Sequence, residues 1–242
     1  YDAALDYHQQ AVDAALPTAA YMPFLAVQPL GSLGSVFLEI SPHYLDRALD
    51  CHGQALRMLE HPAGVIAGGT AWADLGFCVL AQGQLALAGE LFHKGLNYPT
   101  MFMHLERPRF LVGLTTLALR QGQLDEAERL VAEACAYAEE RQMRHLYPLL
   151  ALTRGQTAAA RGRGEEALAA FSQAEALARE MGMRPQVWQA QAAAASLLTQ
   201  QGRQAEALAQ RQSARRLIGE IADGITDATR RAYYLDHALT QL

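Results

Sequence analysis

The sequence predicts an all-α chain, a solenoid of antiparallel helix pairs with about 11–12 helices and a capping helix at its C-terminal end. Three observations carry this. Gly83, Gly122, Gly162 and Gly202 recur at steps of 39, 40 and 40 residues, and Ala88, Ala127, Ala167 and Ala207 each follow by five. Self-similarity at a fixed period of this size marks a stacked-repeat architecture. Around each glycine the apolar residues fall at three- and four-residue spacings, one face of a helix. No window alternates with period two, β-branched residues are sparse, and the 51% hydrophobic content is rich in alanine with only 7% aromatics. That composition suits closely packed helices and not a sheet.

Taken in order, residues 1–16 read as the second helix of an incomplete unit, through Tyr1-Asp2-Ala3-Ala4-Leu5-Asp6, so the chain is expected to open mid-unit. Residues 17–62 form an irregular unit. Pro17, Pro23, Pro29 and Gly31 predict a loop and a shortened or kinked first helix. Tyr44–Leu49 then looks like a second helix, with Ala48 placed 40 before Ala88 and His43 where a glycine would stand. Four regular units follow, 63–102, 103–142, 143–182 and 183–222. In the clearest, Trp72, Leu75, Gly76 and Val79 share a face of the first helix and Ala88, Leu91, Phe92 and Gly95 a face of the second. Gly83 between them suits an αL residue closing a helix without a Cβ penalty, and so short a turn forces antiparallel packing.

Two further positions are small in every regular unit. Gly76, Thr115, Gly155 and Ala195 lie seven before the glycine; Gly95, Ala134, Ala174 and Ala214 lie twelve after it. Small residues there let helix axes approach. The junctions between units carry Met103, Met143 and Met183, 40 apart, with Arg144 and Arg184 behind the last two. They read as core filling under a loop, the usual use of methionine. Residues 223–242 read as a last helix with Thr226 as N-cap, covering the exposed end of the stack as repeat arrays require.

This pattern resembles the tetratricopeptide repeat (TPR), on Trp72, Leu75, Gly76, Gly83, Ala88 and Phe92, over the span from Tyr44 to about Ala222. It departs from that family in two ways. The proline closing the second helix is missing, with Thr100, Glu139, Arg179 and Gly219 in its place, and the period of 39 or 40 exceeds the common ~34. Longer units are similar to the helical arrays of bacterial multi-domain transcription regulators and of signalling ATPases and cyclases. The resemblance implies a right-handed superhelix whose first helices line a concave groove.

Counting positions on those helices gives the candidate groove residues Phe37, Phe77, Leu80, Arg109, Val112, Thr116, Arg120 and Gln156. The early part is apolar, the middle carries two arginines and the late part is polar. The carboxylate-clamping use of the fold requires lysine and asparagine, and here Ala73, Phe77, Val112 and Thr116 occupy those places. An apolar groove with Arg109 and Arg120 suits an amphipathic segment or an extended peptide with acidic residues.

The composition narrows the alternatives. A net charge of −5 leaves no broad basic field for nucleic acid. Cys51, Cys78 and Cys135 are odd in number and unpaired in spacing, which reads as reduced thiols. There is no apolar run of the length a membrane span needs and no visible signal peptide, so a cytoplasmic location is expected. Gly31-Ser32-Leu33-Gly34-Ser35 lacks the lysine and spacing of a phosphate loop. The eight histidines do not cluster, and no nucleophile has a local signature. No metal, cofactor or catalytic residue is expected. Arg203, Arg211, Arg215, Arg216, Arg230 and Arg231 read as solvent-facing, with docking to another domain of the parent protein as the sharper alternative.

The functional expectation is a non-catalytic protein- or peptide-binding scaffold, the sensor or effector-binding region of a larger bacterial signalling or transcriptional regulator. A peptide or small-molecule receptor of quorum-sensing type and a structural oligomerisation or spacer module are the alternatives.

Overall fold

The computed structural model describes residues 1–59, 69–98 and 103–242, which hold twelve α-helices and no strand. In order these are α1 (Asp2–Ala15), α2 (Phe24–Ile40), α3 (Leu45–Leu59), α4 (Thr70–Ala81), α5 (Leu85–Leu96), α6 (Met103–Arg120), α7 (Leu124–Glu140), α8 (Tyr147–Ala160), α9 (Gly164–Glu180), α10 (Arg184–Gln200), α11 (Gln204–Asp223) and α12 (Ala228–Leu239). The predicted boundary at 62 and 63, and Thr100, lie outside the described residues.

Successive helices pack on one another, α2 with α3, α4 with α5, α8 with α9 and α10 with α11. Each pair also meets a neighbour in sequence, α1 with α2, α3 with α4, α7 with α8 and α9 with α10. The chain forms two compact units. The first is Tyr1–Gly113 with Ile225–Tyr233, and the second is Leu114–Gly224 with Tyr234–Leu242. The division passes inside α6 and inside α12.

The repeated glycines close the first helix of each pair. Gly83, Gly122, Gly162 and Gly202 all have positive φ, between 71° and 78°. The next residue's N–H reaches back five residues, from Gln84 to Val79 (3.0 Å) and from Gln123 to Ala118, Arg163 to Ala158 and Arg203 to Leu198 (2.9 Å each). This is a Schellman closure, which satisfies a carbonyl the helix end would otherwise strand. The junctions after the second helices use the same device. Gln142 (φ 55°) and Gly182 (φ 69°) are left-handed, and Met143 and Met183 bond back to Ala138 (2.9 Å) and Ala178 (2.8 Å). Met143 is buried, the apolar contact that accompanies this closure.

The small positions are set by aromatic neighbours. A Cβ on Gly76 would lie 2.5 Å from the Phe92 ring, one on Gly155 2.4 Å from Phe171, and one on Gly95 2.2 Å from Phe110. At the position seven before the turn glycine, where the small residue is not glycine it is Thr115 or Ala195, each fully buried. The position sixteen residues later is then not aromatic, being Val131 and Arg211.

The second unit carries periodic ion pairs along its connections. Arg144 reaches Glu180 (3.0 Å) and Arg184 reaches Glu220 (2.7 Å), each 36 residues on. At the opposite ends of the hairpins Arg161 and Arg163 meet Glu128 (3.2 and 2.6 Å), and Arg203 meets Glu165 (3.0 Å). Every acidic partner is exposed, although Arg161 and Arg203 are half-buried, so each pair contributes at most about 1 kcal/mol.

The proline-rich stretch departs from expectation. Only residues 16–23 connect α1 to α2, and α2 runs 17 residues with Pro29 inside it. A proline removes one hydrogen bond, here to the Leu25 carbonyl, and costs about 3 kcal/mol. Leu25 is exposed, so water can serve that carbonyl. Val27, Leu30, Leu33, Phe37 and Ile40 are all buried on the same helix, each contributing about 1.5–3 kcal/mol. Burial therefore wins over the proline.

In the first unit the segment Ile225–Tyr233 packs beside α1 and the turn Pro42–Tyr44 that precedes α3. Asp2 accepts hydrogen bonds from the Thr226 N–H (2.5 Å) and hydroxyl and pairs with Arg230. Tyr233 stacks on His43 (centroids 4.2 Å apart, 4° between planes) and meets Tyr44 edge-on. Desolvation works against ionisation of Asp2, and the bonds from Thr226 and Arg230 outweigh it and hold the carboxyl far below its usual range.

Candidate binding surface

The eight candidate groove residues divide by exposure. Phe37, Leu80 and Val112 are buried at 4%, 3% and 3%, so they leave almost none of their surface to solvent. Phe77 is half-buried, edge-on to Phe92 with ring centroids 5.2 Å apart. The Arg109 side chain is 38% exposed. In the second unit Thr116 is half-buried, while Arg120 and Gln156 are exposed. Of the eight, the side chains that remain accessible are thus Phe77 and Arg109 in the first unit, and Thr116, Arg120 and Gln156 in the second.

Phe37 has a specific reason to miss. Regular hairpins turn in three residues, but α2 and α3 are joined by four, Ser41 and the 3₁₀ turn Pro42–Tyr44. One added residue rotates a helix face by about 100°. Phe37 therefore lies with Leu30 and Leu33 on the floor of a cleft of about 380 Å³ between α1 and α3, rimmed by Gln9, Asp46 and Asp50. The Arg47 guanidinium covers its ring at 4.2 Å.

Arg109 does not simply face solvent. It pairs with Asp74, which is 4% exposed, and lies 5.9 Å from the Phe77 ring centroid. Asp74 Oδ2 is in turn 3.9 Å from Nδ1 of His52, whose side chain is fully buried. Burial pushes the His52 ring below its ordinary pKa, Asp74 opposes this, and Arg109 adds to it. Burial also raises the Cys78 thiol, with Asp74 adding, to about 12. Nearby, Glu106 is buried and accepts a hydrogen bond from the Gly69 N–H at the start of α4 (2.6 Å).

Sequence reading missed this buried group. One signal was available: Asp74 is the only charge in α4, flanked by Ala73 and Leu75. The partners were not readable, because His52 and Arg109 come from helices one unit away on either side. Among the described residues no three His, Cys, Asp or Glu side chains are placed to hold a metal ion, and no helix is long and apolar enough to cross a membrane.

No protein-family model matches the chain, and no curated protein matches its sequence. Solved structures do. The nearly identical TPR-like repeats of a kinesin-light-chain-type protein from Podosopora anserina superpose with a TM-score of 0.51 at 18% identity, covering 81% of this chain and 95% of that one. The chain has a TPR-like fold. A second structure of the Podosopora repeats matches at 18% identity and TM-score 0.49, over 81% of this chain and 96% of that one. YrrB, a TPR protein with an unusual peptide-binding site, matches at 17% identity and TM-score 0.43, over 85% and 89%. Within the TPR-like frame, α4, α6, α8 and α10 are first helices and α5, α7, α9 and α11 second helices.

Proposed function

We propose that the chain is a non-catalytic scaffold that binds a protein or peptide segment on the first-helix face of its hairpins. The observation that supports this most directly is the accessibility of that face in the second unit. Thr116 and Arg120 on α6, Gln156 on α8 and Ser196 on α10 are exposed or half-exposed, while the same helices also carry the buried Leu111, Leu150 and Trp188. Short polar side chains and one arginine suit hydrogen bonds to an extended backbone and a contact with an acidic side chain. The TPR-like fold is consistent with such a use, and the 39–40-residue period resembles arrays in larger bacterial signalling and transcription regulators. The role we favour is therefore the sensor or effector-binding region of such a protein, acting by unequal affinity of its ligand for two array conformations.

Site-specific photo-crosslinking in the producing cell tests the reading. A benzoylphenylalanine at position 120 or 156 is expected to capture one and the same partner. The control is Ala136 on the exposed face of second helix α7, which should give no adduct. Equal capture at Ala136, or none at 120 and 156, overturns the proposal.

A further inference from the structure

We propose that His52 is a proton sensor in the first unit: protonation of its ring transfers the Asp74 carboxylate from Arg109 to the imidazole and releases the guanidinium beside Phe77. The ring is wholly enclosed, and neither nitrogen has a hydrogen-bond partner among the described residues. Gly34 of α2 makes the enclosure tight, since a Cβ there would lie 2.7 Å from both Cε1 and Nε2. Nδ1, the ring atom next to Cε1, stands 3.9 Å from Asp74 Oδ2, about 1 Å beyond a hydrogen bond. An enclosed polar ring left unpaired so close to a carboxylate is a costly arrangement unless a second state uses it.

The charged groups around the ring define that second state. On α4 these are Asp74 and, as a neutral thiol, Cys78; on α6 Arg109; and on α3 itself the neutral thiol of Cys51, which burial also raises. α2 meets the ring with Gly34 and carries one ionisable side chain, Glu39, whose carboxyl pKa is raised by burial and in turn drawn down by the attraction of Arg109. With His52 neutral, Asp74 serves Arg109. With His52 protonated, two cations compete for Asp74, and their positions differ, since Arg109 is also within reach of the Glu39 charge. Arg109 is 38% exposed and can turn to water at little cost. The imidazolium cannot reach water and must be paired where it is. The carboxylate therefore goes to His52.

The sign of the linkage is fixed. The folded-state pKa of His52 lies below the unfolded value of about 6.5. The group's contribution to stability is complete above that pH and is lost as pH falls through it. Acid therefore loosens the packing of α2, α3 and α4 while it frees Arg109.

The test is a titration of the whole chain by NMR, following the His52 ring and the Arg109 Nε–Hε resonance. The ring should titrate below 6.5, and the Arg109 signal should move with the same midpoint. In Asp74→Asn the Arg109 step should vanish. Between pH 7.5 and 5.5 the unfolding equilibrium constant of the wild type should rise by up to about tenfold more than that of His52→Gln. A ring titrating at or above 6.5, an Arg109 signal flat through the ring's titration, or identical acid curves for wild type and His52→Gln overturns the proposal. The first two readings need no variant, so they stand even if a substitution fails to fold.

Discussion

Gln142 is the single described residue other than glycine with a left-handed backbone, at φ 55°. It closes α7 in the place Gly182 takes after α9. A left-handed conformation costs an L-residue with a Cβ roughly 1–2 kcal/mol. Its compensation is small, because the bond from the Gln142 side chain to the Glu139 carbonyl (3.1 Å) is exposed. Gln142→Gly should therefore stabilise the protein by about 1 kcal/mol, somewhat reduced by glycine's greater freedom when unfolded. Thermal unfolding checks this, and an unchanged or lower Tm contradicts it. The repeated glycines were legible in the sequence because this constraint is local: five residues of backbone decide it. The buried Asp74 with His52 and Arg109 was not, because its cost and its relief come from three helices.

At the scale of paired helices, the pairing of small and large side chains is the specific content of each repeat. Gly76 faces Phe92 and Gly155 faces Phe171, sixteen residues apart in both hairpins. Val131, sixteen residues after Thr115, holds the corresponding position where the aromatic is absent. The sequence showed that position seven before the glycine is small, but not which partner made it so. The exchange is complementary across the hairpin and not conspicuous along either helix. Gly155→Ala should cost about 1–3 kcal/mol through overpacking, since its Cβ would stand 2.4 Å from the ring. Phe171→Val should itself be destabilising by leaving a cavity. In the double variant the two costs should not add, with a coupling of at least about 0.5 kcal/mol in the rescuing direction. Urea unfolding of the four proteins closes the cycle, and strict additivity rejects the pairing. The misplacement of Phe37 belongs to the same scale. Counting from His43 could not reveal that the turn before α3 holds one residue more than the others.

For the molecule as a whole, phase was legible and closure was not. A forty-residue period specifies what each hairpin packs against, because neighbours repeat. It says nothing about a helix that lies outside the period. Residues 223–242 read as a cap over the last hairpin. Tyr234 and Ala238 are fully buried in the second unit, but Ile225 is fully buried in the first, where Thr226 and Arg230 hold Asp2. One short segment thus completes the core of both units. Deleting residues 225–242 should expose apolar surface in each, where burial of a side chain such as Ile225 contributes about 1.5–3 kcal/mol. Amide exchange followed by mass spectrometry separates the two contributions. Faster exchange is expected in α1, which loses the contacts at Asp2, and in α11, which bonds through Arg211 to the Leu242 carbonyl (2.6 Å). Faster exchange in α11 alone would mean that the segment is an ordinary terminal cap, and that α1 is held by its packing on α2 without help from the far end of the chain.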